Sequence, residues 1–218
     1  MKNNDHPIVF TPDNEPYLGR KSVYHFDQVI LSCLEFNEEI AQFTHKNELN
    51  RLQKAATQII PQSINLSLTI RELVRQGYLF GALVLLRPLI ERIATINYLS
   101  TNQEKLVLWE DGWKHGQRPR LNEMLHLLSG IKDANMVKTV TETFNHLVHG
   151  DPIGAEWNLV QSKKSGLGYS VGKVLNDPDL CDYICFNTYL YLVTILGIMA
   201  NCFPEVKGNT NDNNLKLS

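Results

Sequence analysis

Leu83-Val84-Leu85-Leu86-Arg87-Pro88-Leu89-Ile90-Glu91-Arg92-Ile93 is the stretch on which the fold turns. It sits inside a longer apolar run from Tyr78 to Leu99, with Gly77 at its entry. Such a run exceeds the usual strand and suits a bundle helix. A helix apolar on nearly every side is buried among others, so the segment predicts an all-α core. Its charges then need a reason, because burying one unpaired is costly. Arg87 and Glu91 stand four residues apart, one helical turn, and so share a face. Two readings follow. One is an internal ion pair that sets helix register; the other is a site in which Arg87 meets an anion and Glu91 orients that anion or a histidine. Pro88 removes a backbone donor between them, which favours a kink and frees a carbonyl beside the pair.

The same spacing extends outward. Val23, Phe26, Val29, Ile30, Leu34, Ile40 and Phe43 recur every three or four residues and predict a first long helix, with Ser22 as N-cap. A second runs from about Glu48 to Gln76 and meets Pro61, which predicts a kink or a break. Glu104 to Trp113 and Pro119 to Leu128 read as two shorter helices, the latter with proline in its first turn. Asp133 to His149 is the next, with Gly150 suited to its left-handed end. Between it and the last helix, Trp157 to Val160 and Tyr169 to Val171 pair as a short hairpin or belong to an irregular loop. Asp177-Pro178-Asp179 starts the final helix. The expectation is an all-α helical bundle of about six or seven helices, with a short loop or hairpin insertion before the last. Residues 21–205 form one domain, and the polar segments 1–20 and 206–218 are expected as flexible tails.

Composition narrows the function. The formal net charge of −2 excludes bulk electrostatic attraction to nucleic acid, so any such contact uses a local patch. Cys33, Cys181, Cys185 and Cys202 follow no zinc-ribbon spacing. Met1 to Arg20 has no basic segment followed by an apolar core, and a cytoplasmic location is the simplest expectation. Tyr183 to Phe203 carries no charge over 21 residues, long enough for a bilayer. Asn187, Thr188, Thr194 and Asn201 interrupt it, which favours a buried bundle helix and no membrane.

Three groups of residues could carry chemistry. Met136, Val137, Val140, Phe144, Leu147 and Val148 gather on one side of the sixth helix, leaving Glu142, Asn145, His146 and His149 on the other. This polar side is either a solvated surface or a site, since imidazole titrates near neutrality and binds metal. With Asp151 it offers metal ligands, yet it lacks the order of the zinc hydrolases, and no metal or other cofactor is expected. Arg87 and Glu91 are the second group. The third is Trp113-Lys114-His115-Gly116-Gln117-Arg118-Pro119-Arg120, next to Trp109. Lys114, Arg118 and Arg120 beside indoles suit an RNA phosphate and a stacked base, or simply line a solvated loop.

Taken together, Ala82 to Glu91 (Ala-Leu-x-Leu-x-Arg-x-Leu-x-Glu), Asn97-Tyr98-Leu99 and the later Val148-His149-Gly150-Asp151 make the chain resemble bacterial HEPN-like helical proteins over roughly residues 60–205. The resemblance implies an all-α bundle, frequently a homodimer, of the kind found among toxins, abortive-infection and phage-defence proteins. Active members of that superfamily cut RNA without metal, using an arginine separated from a histidine by four to six intervening residues. Here Glu142, Thr143 and Phe144 precede His149 at those positions, and Thr139, Val140 and Thr141 precede His146. Within the resemblance Arg87 supplies the missing charge, His149 is the general base or acid, and Asn145 or His146 positions the phosphate or leaving group. Two functions follow as expectations. One is a non-catalytic module that binds RNA, a nucleotide or a partner protein; the other is a metal-independent endoribonuclease.

Overall fold

The structure is a computed structural model that describes residues 15–128, 142, 144–149, 151–162, 166–169 and 176–206. Its long elements are α1 (Lys21–Thr44), α2 (Arg51–Arg75) and α3 (Leu79–Thr101), followed by the short α4 (Leu106–Glu110) and α5 (Leu121–Leu125). Residues 144–148 are helical and are called α6. Then come α7 (Pro152–Ala155), the strands β1 (Leu159–Ser162) and β2 (Gly166–Tyr169), and α8 (Pro178–Cys202). The chain is an all-α bundle; among the described residues its two strands pair with each other alone, antiparallel, with Leu159 opposite Tyr169.

Packing follows the apolar pattern. α3 lies against α2 and α8, α1 packs on α8, and α5 covers part of α3. Leu86, Leu89, Ile90 and Ile93 of α3 are fully buried, as the opening stretch predicts. α8 is by length and composition apolar enough to cross a membrane, and Cys181, Cys185, Leu192 and Ile195 on its inner side are buried in the bundle. All four cysteines are free and buried.

Helix boundaries have local causes. In α2 the Asn50 side chain accepts from the Gln53 N–H at 2.9 Å, and the Gln53 side chain accepts from the Asn50 N–H at 3.1 Å. These reciprocal bonds satisfy two donors that the first turn would leave unpaired. α2 runs through Pro61 without breaking, because buried Ile59, Ile60, Ser63 and Ile64 on both sides hold it against the core. At α8, Asp177 Oδ1 accepts from the Leu180 N–H at 3.0 Å and Pro178 opens the helix, where its absent donor costs nothing.

Several expectations are corrected. α1 starts at Lys21 with Arg20 as N-cap, and Ser22 instead donates its hydroxyl to Asp182 of α8. Pro119 lies outside α5, whose N-cap is Arg120. Trp157 belongs to a single turn before the hairpin, because Pro152 opens a short helix there and delays the first strand. The expected tail 1–20 is docked over its last residues: Tyr17 is buried and Glu15 pairs with Arg71. Residues 1–14, 207–218, most of the sixth predicted helix and Gly150 lie outside the described residues.

Candidate functional site

The site is built where α6 leans on the middle of α3. Phe144 and Leu147 are buried, which anchors α6 by its apolar side. Asn145, Val148 and His149 follow at spacings of three and four and therefore share the flank turned to α3. On α3, Arg87 is held from two directions. Its Nε donates to Glu91 Oε1 at 2.8 Å, and its Nη1 donates to Asn145 Oδ1 at 2.7 Å. Two bonds at fixed angles orient the planar guanidinium more tightly than one point contact would. The Arg87 side chain is 17% exposed and Glu91 31%, so the pair lies at the wall of an opening and not in the sealed core.

That opening is a cavity of about 280 Å³ lined by Arg87, Glu91, Asn145 and His149, with Val84, Leu85, Pro88 and Val148 as apolar walls. Pro88 has no N–H to give the Val84 carbonyl, so a helix acceptor is left without its usual donor on the cavity wall. A guanidinium, an imidazole and a side-chain amide on a largely apolar floor form a pocket that can fix one anionic group.

His146 does not join them. It stands about 100° round the helix from Asn145, and its Nδ1 lies 2.8 Å from Asp151 Oδ2 at the start of α7. His146, expected to help position a phosphate, thus lies outside the lining of this cavity, and its contact ties α6 to α7. Gly154 of α7 makes that approach possible, since a Cβ there would fall 2.6 Å from the His146 carbonyl oxygen. Among the described residues no group of three or more His, Cys, Asp or Glu side chains is placed to hold a metal ion.

The three expected RNA-binding cations separate. Arg118 Nη2 reaches Glu91 Oε2 at 3.7 Å, so this residue belongs with the α3 charges. Lys114 faces Asp111 at 4.0 Å, and Arg120, whose backbone N–H bonds Glu123 at 3.2 Å, is exposed. Neither lines the α3–α6 cavity, because the turn between α4 and α5 projects them outward. Sequence reasoning missed the apolar walls Val84, Leu85 and Val148, whose spacing is that of ordinary core residues. Comparison with protein-family models, with curated proteins and with solved structures finds no match for this chain.

Proposed function

We propose that this chain is a HEPN-like helical protein that acts on RNA as a metal-independent endoribonuclease, with the phosphodiester held in the α3–α6 cavity. The observation that carries the reading is that Arg87 and His149, 62 residues apart in sequence, line one opening, with Asn145 bonded to the arginine. In this scheme His149 takes the proton from a ribose 2′-hydroxyl, and the freed oxygen attacks the adjacent phosphorus. Arg87 stabilises the charge that builds on the phosphoryl oxygens, and Asn145 and Glu91 keep its guanidinium aimed. The bond to the 5′ oxygen of the next nucleotide breaks, that oxygen takes a proton from water, and a cyclic phosphate end remains. A cytoplasmic setting in bacterial defence or toxin–antitoxin systems fits such an activity. So does a homodimer, for which α8 offers exposed Tyr183, Phe186, Leu190 and Val193 at alternating spacings of three and four.

A second reading, a module that binds RNA, a nucleotide or a partner protein without cutting, is favoured by one feature. Arg87 already has two side-chain partners and little exposure. Incubation of purified protein with mixed RNA, with and without chelator, separates the two. Cleavage that survives chelator, leaves cyclic phosphate ends and vanishes in His149→Ala supports the enzyme. Retention of RNA without cleavage supports an RNA-binding module, and neither binding nor cleavage ends the enzyme and leaves the module a nucleotide or a protein as its partner.

A further inference from the structure

A second cavity, of about 370 Å³, opens on the other side of Glu91, between α2, α3 and the turn after α4. Its size is within the range of small-molecule sites, roughly 300–1,000 Å³. Trp109 and Trp113 supply half-buried indole surfaces, Gln62 and Thr95 supply neutral polar groups, and Arg92 and Arg118 supply charge. Arg92 is fixed in place, its Nε donating to Gln62 Oε1 at 3.1 Å and its Nη1 to the Pro88 carbonyl at 3.0 Å.

Trp113 has a backbone that a bulky residue seldom adopts. Its φ of 54° lies in the left-handed region, the one such value for a non-glycine among the described residues. This conformation costs on the order of 1–2 kcal/mol, and the chain holds it with a bond from the Trp113 N–H to the Leu108 carbonyl at 2.9 Å. Gly112 before it, at φ 77°, completes the turn. The result is that the indole is brought to the cavity and against Tyr98, with ring centres 6.5 Å apart. Local strain retained where it displays an aromatic ring on a polar cavity points to a ligand with a flat face.

We propose that this cavity is a nucleobase subsite: one base of an RNA strand stacks on Trp113 and Trp109, Gln62 bonds its edge, and Arg118 meets the phosphate leading toward the Arg87–His149 groove. Glu91 lines both cavities, so a strand passing over it would occupy the two together. The assignment rests on the RNA reading above, but its test does not depend on cleavage. The probe is a labelled 2′-O-methyl RNA oligonucleotide, which lacks the attacking hydroxyl and stays intact. Binding should quench tryptophan fluorescence. Trp113→Ala should weaken affinity roughly 5- to 150-fold, the loss of one base stack, while Trp113→Phe keeps most of the affinity and loses the part of the quench that Trp113 contributes, leaving that of Trp109. Arg118→Ala, at a side chain 54% exposed and so safe for folding, should weaken binding and lower its salt dependence. An abasic version of the oligonucleotide should bind wild type and Trp113→Ala alike. Unchanged affinity in Trp113→Ala and Arg118→Ala, with native circular dichroism, overturns the subsite even if RNA is still cut. Quenching that depends on Trp113 without any RNA cleavage upholds the subsite and removes the endonuclease.

Discussion

The bond between Arg87 and Asn145 joins two helices 58 residues apart and decides whether the cavity exists as described. A double-mutant cycle of Arg87→Met and Asn145→Ala isolates it. A hydrogen bond to a charged group contributes about 1.5–3 kcal/mol net. Asn145 is half-buried and Arg87 retains 17% exposure, so water recovers part of the loss and the lower end applies. Arg87→Met alone should cost more than Asn145→Ala, because it also removes the 2.8 Å bond to the Glu91 carboxylate and leaves that group the longer contact with Arg118 at 3.7 Å. Asn145→Ala leaves the Glu91 bond to the arginine in place. The expected coupling is about 1.5 kcal/mol. In urea, with a slope of about 3 kcal/mol/M for a domain of this size, it appears as a non-additivity of about 0.5 M in the unfolding midpoint. Additivity within about 0.5 kcal/mol would mean that the two helices do not meet through these side chains, and the shared groove would be lost with them.

Other outcomes follow from the same coordinates. The Arg20 guanidinium, with help from the Ser22 hydroxyl, holds the Asp182 carboxyl down to about 2. A folded value below the unfolded one means stability that is present above the ordinary carboxylate range and is lost as pH falls toward 2; Asp182→Asn should therefore flatten the acid limb of thermal unfolding, and an unchanged limb would remove that link between α1 and α8. Ile93→Ala, at a fully buried position of α3, should cost about 2–5 kcal/mol in denaturant unfolding, and a loss below about 1 kcal/mol would contradict the packing. Gly154→Ala should destabilise by about 1–3 kcal/mol, because its Cβ would meet the His146 carbonyl at 2.6 Å; a neutral result would show that α7 does not seat under α6. Phe186→Asp, at a residue 57% exposed, should leave folding intact and shift any dimer to monomer in sedimentation, whereas a dimer that persists would exclude the α8 stripe as its seam.

Much of the bundle was readable along the chain because helical burial repeats every three or four residues. Val23, Phe26, Val29 and Ile30 are buried in α1 as their spacing requires, and Asp177-Pro178 starts α8. The misreadings occur where a distant partner outbids a local preference. Ser22 has the chemistry of an N-cap, yet Asp182, 160 residues away, takes its hydroxyl. Pro61 should interrupt a helix, but one missing hydrogen bond is offset by the apolar side chains packed on either side of it.

The candidate site divides in the same way. Spacing alone put Arg87 with Glu91, since residues four apart on a helix are neighbours wherever that helix lies. It also grouped Asn145, His146 and His149 on one polar side, which is as far as periodicity reaches. Only the docking of α6 onto α3 separated them, sending Asn145 to the arginine, His149 to the cavity that the arginine also lines, and His146 to Asp151. Trp113 is a further case: no local rule predicts an indole held at positive φ, and its place between α2 and α3 depends on how the turn after α4 is folded back. A helix carries its own hydrogen bonds and so announces itself in sequence, whereas the angle at which two helices meet is set by side chains on both, and that is known once they are packed.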